Sequence, residues 1–197
     1  MIQIPSHIRG LIFDLDGTLA DNMPIHLAAW KLAGSNLGVE ITDEMITSRS
    51  GMATFKIVSL LNEAYGWDLD PAFTKKTKDM AYHELKPQIG LKPIQAVLDI
   101  AQAYRGKLPM SVGTGSTRPN AEETLISLGI LGWFDAIVTA DDVKKHKPSP
   151  ETFLKCVERM GVAPEHCLVF EDSPFGIQAA KTGGMEVIHV DEILSQG

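Results

Sequence analysis

A chain of 197 residues is long enough for one α/β domain with a sizeable core, or for a domain carrying a small insert. Its 44% hydrophobic and 22% charged residues are ordinary for a soluble globular protein. The 25 acidic residues against 18 basic ones give a formal charge of −7, which argues against a nucleic-acid or anionic-membrane surface and leaves a local basic pocket as the place for an anion.

No segment has the run of about 18 apolar residues that a membrane span needs, and the opening MIQIPSHIRG lacks both a long apolar stretch and a small-residue cleavage site. A cytoplasmic protein is expected, with Cys156 and Cys167 as buried or partly buried free thiols. The first strand candidate is Arg9–Asp14. From about Asn22 to Lys86 no convincing strand occurs; helical segments read as Pro24–Asn36, Asp43–Ser48, Ala53–Tyr65 and Pro71–Leu85. In the first of these, Met23, Leu27, Trp30 and Leu37 fall close to one helical face, read as core. Beyond this stretch, strands are expected at Pro109–Gly113, Ala136–Ala140, Cys167–Glu171 and Glu186–Val190. Helices alternate with them at Pro93–Tyr104, Pro119–Leu128, Pro150–Met160 and Pro174–Thr182.

Strand–helix alternation with continuous apolar strands implies a Rossmann-like α/β fold: a parallel sheet with helices on both faces. The helical stretch separates the first strand from its sheet partners, so it reads as an inserted cap over residues 21–87. Residues 1–20 and 88–197 would form the core. Ligands of such sheets bind beyond the carboxyl ends of the strands, and a cap leaving after the first strand would lie over that edge. Ala20–Asn22 and 88–91 are the expected hinges.

The residues beyond each strand carry the chemistry. LIFDLDGTLA places Asp14 and Asp16 two positions apart, where like charges repel and raise each other's pKa. Thr114, Gly115, Ser116 and Thr117 follow the second core strand; Asp141, Asp142 and KKHKPSP follow the third; Glu171, Asp172 and Ser173 close the fourth. Each alone is a good turn or helix start. Together they concentrate carboxylates at one sheet edge. Hard oxygen donors without a nearby His or Cys pair suit Mg2+, with Lys147 and Thr114 left to meet an anion. Carboxylate nucleophile, metal and lysine together suit phosphoryl transfer.

These motifs, in this order, resemble the haloacid dehalogenase-like hydrolases over nearly the whole chain: Asp14-Leu15-Asp16-Gly17-Thr18-Leu19, Thr114 closing SVGT, Lys147 in KPSP, and Glu171-Asp172 in VFEDS. The insert after the first motif and the run FEDSPFGIQAAKTGG are similar to the β-phosphoglucomutase-like subgroup. SVGTGS, KHKPSPETF and FEDSPFGIQAA look most like its bacterial fructose-1-phosphate/6-phosphogluconate phosphatase type. The resemblance implies that Asp14 attacks phosphorus to form an aspartyl-phosphate. Asp16 would be the general acid, then the base, and is taken as free to be protonated. Asp14, the main-chain carbonyl of Asp16, Asp172 and Glu171 would serve Mg2+, and Thr114 and Lys147 would hold the phosphoryl oxygens. Ser116 and Asn120 lie where some members contact phosphate. In the cap, His26 would assist a sugar hydroxyl and Lys76 would stand at a substrate-contacting position, while Asn22 would hydrogen-bond substrate.

The expected partner is a small phosphorylated sugar, bound to a monomer or small homo-oligomer. An aspartate at position 16 argues against dehalogenation. The mutases of the subgroup hold a second phosphate with an arginine after a cap glycine. Here Gly51-Met52-Ala53 is followed by Thr54, and Arg49 precedes the glycine. Phosphate calls for a cationic, preferably bidentate partner. Water is therefore the expected acceptor, which makes the chain a phosphatase; a phosphosugar mutase and a non-catalytic phosphosugar-binding regulatory protein are the alternatives.

Overall fold

The structure, a computed structural model, describes residues 3–195; residues 1–2 and 196–197, at the outer ends of the expected core segments, lie outside the described residues. Five parallel strands form one sheet: β1 (Gly10–Phe13), β4 (Met110–Gly113), β5 (Ala136–Val138), β6 (Cys167–Glu171) and β7 (Glu186–His189), in the order β5-β4-β1-β6-β7. β1 is central, pairing Leu11 with Met110 on one side and with Leu168 on the other. Strands β1, β4 and β6 are buried throughout, which is why they read as continuous apolar runs rather than alternating ones.

The sheet's two faces feed two cores. Leu11 and Phe13 of β1 meet α5 (Gln95–Tyr104), α6 (Arg118–Ser127) and α9 (Val190–Leu194). Ile12 meets α7 (Glu151–Met160) and α8 (Pro174–Thr182) on the opposite face. Phe13 stacks on Phe170 of the neighbouring strand with ring centroids 4.8 Å apart. Burial of each such ring stabilises by about 1.5–3 kcal/mol. Cys156 of α7 and Cys167 of β6 are buried free thiols in the same core as Ile12, as expected, and burial raises both pKa values, to about 12 and about 11.

Between β1 and β4 the chain runs through four helices: α1 (Met23–Asn36), α2 (Asp43–Thr47), α3 (Thr54–Tyr65) and α4 (Pro71–Ile89). Asn62 clamps the α3–α4 turn, its amide donating to Leu69 O at 2.8 Å and its Oδ1 accepting from Leu69 N at 3.1 Å. Asp70 caps α4 by accepting from Phe73 N at 2.6 Å. These helices pack on their own small cores, around Trp30, Val58 and Leu61 and around Ile25, Ala29 and Tyr82. α1 is thus buried on two sides. The single face drawn through Met23, Leu27, Trp30 and Leu37 is only part of its buried surface, and Met23 and Trp30 also line the cavity described below.

Of the boundaries that differ from the sequence reading, three bear on the site and its insert. α4 continues through Pro87 to Ile89, because a proline in the last turn forfeits one main-chain bond without ending the helix; Gly90 at φ 87° ends it. The third core strand stops at Val138, and residues 140–142 form a 3-10 turn. The two crossings pair with each other: β2 (Ala20–Asp21), within the first expected hinge, and β3 (Lys92–Pro93), just past the second, make a two-residue antiparallel ribbon. Among the described residues, no helix is long and apolar enough to cross a membrane.

Candidate active site

Asp14 leaves the carboxyl end of the central strand, its N–H donating to Phe170 O at 3.0 Å, so its side chain sits over the middle of the sheet edge. Thr114 follows β4, Glu171 and Asp172 close β6, and Lys147 arrives on the loop after β5. The topology thus brings together residues from four separate segments. Lys147 Nζ donates to Asp14 Oδ1 and to Glu171 Oε1, both at 2.7 Å, and the three side chains are almost fully buried. Burial alone would depress the Lys147 pKa, but the two carboxylates outweigh it and hold the ammonium firmly charged.

One lysine does not neutralise three carboxylates. Oxygens of Asp14, Glu171 and Asp172 all lie within 4.8 Å of one another. Burial raises Asp14 well above the carboxylate range, with Glu171, Asp172 and Asp16 adding to it against Lys147. Burial and then Glu171 push Asp172 up to about 7. An all-oxygen donor set under mutual repulsion fits a hard divalent cation, which would favour the charged form of each member. The Asp16 carboxylate lies outside this cluster. The loop is shaped around it: Gly17 turns at φ 83°, and a Cβ there would run into the Asp172 carboxylate. Thr18 Oγ1 donates to Asp172 Oδ1 at 3.0 Å.

Both oxygens of Asp16 have donors. Asn22 Nδ2 reaches Oδ1 at 2.5 Å and Ser116 Oγ reaches Oδ2 at 2.6 Å. His26 Nε2 stands 3.5 Å from Oδ1, too long for a hydrogen bond, and has no other partner. Burial works to raise the Asp16 pKa, yet the His26, Ser116 and Asn22 groups around it prevail and hold it well below the usual range. Sequence reasoning expected Asp16 to be free to be protonated; the donors around it favour its ionised form. In this arrangement it is an ionised acceptor, because neutral donors tie down both of its oxygens.

A cavity of about 210 Å³ separates this sheet edge from the helical insert. Asp14, Asp16, Thr114, Ser116, Asn120 and Asp172 line it from the core. His26, Trp30, Met52, Thr54, Phe55, Lys75, Lys78 and Asp79 line it from the insert. Gly51 at φ 84° lets the insert loop sit directly on Ser173 of the core, where a Cβ would collide with its hydroxyl.

Two expected contacts fall elsewhere. Lys76 is exposed and lines a separate surface hollow with Phe73 and Met80; Lys78 occupies the inner position instead, its Nζ donating to His26 Nδ1 at 3.0 Å. Helical phase explains the shift: the buried face of α4 is Thr74, Lys78, Ala81 and Tyr82, and residue 76 points away from it. That face is only weakly apolar, so the sequence carried little signal for Lys78. Asn22 is fully buried, off the cavity, and holds Asp16 and Tyr82 rather than facing a substrate. Lys147 and Glu171 likewise stand behind the lining. Burial and then Lys78 lower the His26 pKa, and burial lowers that of Lys78 against Asp79 and Asp16. A protonated Lys78 donates to Nδ1, which leaves the imidazole proton on Nε2, facing Asp16.

The model of the haloacid dehalogenase-like hydrolase family matches residues 11–190. The chain belongs to this family. It is 41% identical to the fructose-1-phosphate phosphatase YqaB of Escherichia coli, over 92% of this chain and 95% of that protein. It is 30% identical to the phosphorylated carbohydrates phosphatase of Thermotoga maritima, over 92% and 84%. Among solved structures, β-phosphoglucomutase of Clostridium difficile superposes with a TM-score of 0.80 at 26% identity, covering 92% of this chain and 84% of that one. With four motif segments meeting at one sheet edge, this membership makes the chain a hydrolase of phosphoric monoesters.

Proposed function

We propose that the chain is a Mg2+-dependent phosphatase of small sugar phosphates, such as a hexose phosphate or phosphogluconate, acting through an aspartyl-phosphate. Residues 1–20 and 88–197 form its catalytic core and 21–87 its cap. The observation that carries this reading is the pair of unlike aspartates facing one cavity: Asp14 in the lysine-bridged carboxylate cluster, and Asp16 outside it among neutral donors. The names of the Escherichia coli and Thermotoga maritima relatives support the sugar-phosphate class.

In the first step an oxygen of Asp14 attacks phosphorus while the bond from phosphorus to the sugar oxygen breaks. That oxygen takes its proton from Asp16, which must first acquire one. That proton comes from solvent, and His26 Nε2–H, backed by Lys78, stands beside Asp16 to orient it. In the second step Asp16 takes a proton from water, the hydroxide oxygen attacks phosphorus, and phosphate leaves with Asp14 restored. Thr114 and Ser116 orient the phosphoryl oxygens. Lys147 reaches them only through Asp14: it offsets charge around the nucleophile. Asp14, Asp172 and Glu171, with the main-chain carbonyl of Asp16, would hold Mg2+, which supplies positive charge against the phosphoryl group when bound.

Hydrolysis is favoured over mutase chemistry by the disposition of arginine. Arg49 Nη1 donates to Met45 O at 2.8 Å and to Ser48 Oγ at 3.0 Å, Thr54 lines the cavity in its place, and no described lining residue is an arginine. The test is phosphate release across a panel of sugar phosphates with Mg2+. Turnover that stops with EDTA and in Asp14→Asn is the expected result. Interconversion of glucose 1- and 6-phosphates dependent on a bisphosphate primer would replace the reading with a mutase. Binding without turnover across the panel would leave a binding protein.

A further inference from the structure

Contacts lead outward from the reaction centre along the insert wall: Asp16 to His26, His26 to Lys78, then to Asp79 and Lys75. A substrate with its phosphoryl group at Asp14 and its leaving oxygen at Asp16 must extend the rest of its body along this wall. Two lysines there suggest a second anion site, but both are already engaged. Lys75 Nζ donates to Asp79 Oδ2 at 2.6 Å, and Lys78 Nζ lies 3.9 Å from Asp79 Oδ1 and 3.0 Å from His26 Nδ1.

Across the cavity stand Asp141 and Asn120. Asp141 Oδ2 accepts from Arg118 N, while the Arg118 guanidinium is spent outside the cavity on Glu122, Asp142 and Ile137 O. Away from the reaction centre the charged lining is therefore two lysines against two aspartates, with no described arginine, and the rest is apolar or neutral.

We propose that Asp79 is a specificity-determining residue: it spends the cap lysines and presents a carboxylate to the substrate's far end, so the cavity takes a neutral polyol and turns away a second anionic group. A carboxylate accepts from adjacent hydroxyls of the kind a polyol presents. A second phosphate or a sugar carboxylate would meet Asp79 and Asp141 as like charges, and like-charge juxtaposition is how binding sites reject wrong partners. This rests on the sugar phosphatase reading and narrows it, favouring hexose monophosphates over bisphosphates and phosphorylated sugar acids.

The experiment measures kcat and KM on the full chain with Mg2+ for fructose 1-phosphate, fructose 1,6-bisphosphate and 6-phosphogluconate, in wild type, Asp79→Asn and Asp79→Glu. In Asp79→Asn, the kcat/KM ratio of the monophosphate over each doubly anionic substrate should fall by about tenfold or more, mainly through KM; Asp79→Glu, which keeps the charge, should restore it to within about threefold. A merely structural role lowers all three substrates together and leaves the ratio unchanged, which overturns the proposal while leaving the phosphatase reading intact. A wild type that prefers the doubly anionic substrates also overturns it. If wild type hydrolyses p-nitrophenyl phosphate but none of the sugar phosphates, the sugar reading itself fails and this inference with it.

Discussion

The floor and the roof of the cavity are built by different means. On the floor, Asp14, Thr114, Lys147, Glu171 and Asp172 come from four chain segments, each placed by a buried strand or by the loop that leaves one. On the roof, His26 comes from α1 and Lys75, Lys78 and Asp79 from α4, so one helix pair supplies its ionisable groups. The floor's carboxylates are in excess and buried, which stores repulsion for a cation to relieve. The roof's charges are already paired, which leaves it suited to hydroxyls. On the reading proposed above, the floor carries the chemistry and the roof the choice of substrate.

Substitutions should separate the two in order of effect. Asp14→Asn removes the proposed nucleophile and should lower phosphate release by at least about 10³-fold, with no loss of thermal stability because one repelling charge is gone. Lys147→Ala leaves two buried carboxylates without their cation. It should cost about 3–5 kcal/mol, read by urea unfolding in EDTA, and a loss under about 1 kcal/mol would show that the floor is not held by this ion pair. A roof change should be milder and confined to turnover: His26→Ala should reduce kcat by about 10²-fold with the unfolding midpoint nearly unchanged, and an equal fall in stability would make the residue structural.

The smallest effect belongs to the loop behind the floor. Asp142 accepts from Thr139 N and Oγ1, Arg118 and Arg159; burial opposes ionisation, but these donors, Arg159 foremost, depress its pKa well below the usual range. A depressed carboxylate contributes stability that is full above its unfolded value near ~3.9 and lost as pH falls toward the folded value. Asp142→Asn should therefore cost about 1 kcal/mol at neutral pH and flatten the acid limb of stability below about pH 4; an unaltered limb would discount the network.

Legibility in the sequence followed the same division. The strands were readable because residues such as Leu11, Ile12 and Phe13 are buried on both sheet faces and so must all be apolar. Their polar termini were readable as one edge because parallel strands end together. On α4, Lys76 and Lys78 stand two positions apart and differ in helical phase. Choosing Lys78 over Lys76 required knowing which stripe packs on α1, and the stripe of Thr74, Ala81 and Tyr82 is too weakly apolar to announce itself. Asn22 shows the same limit: its type suits a substrate contact, and only its burial beside Asp16 and Tyr82 assigns it to holding the carboxylate.

From the residues alone followed the parallel sheet, the helical insert after the first strand, and a carboxylate–lysine–threonine edge suited to phosphoryl transfer. These depend on local pattern: hydrophobic runs, turn residues and acidic pairs carry their meaning within a few positions. Tertiary structure decided which way each charge is spent. Lys147 bridges Asp14 and Glu171, Asp16 is ionised among neutral donors, Arg49 is turned to its own backbone, and Asp79 engages the roof lysines. Charge is long-ranged and pairing is spatial, so the role of an ionisable group depends on neighbours that only the folded chain supplies.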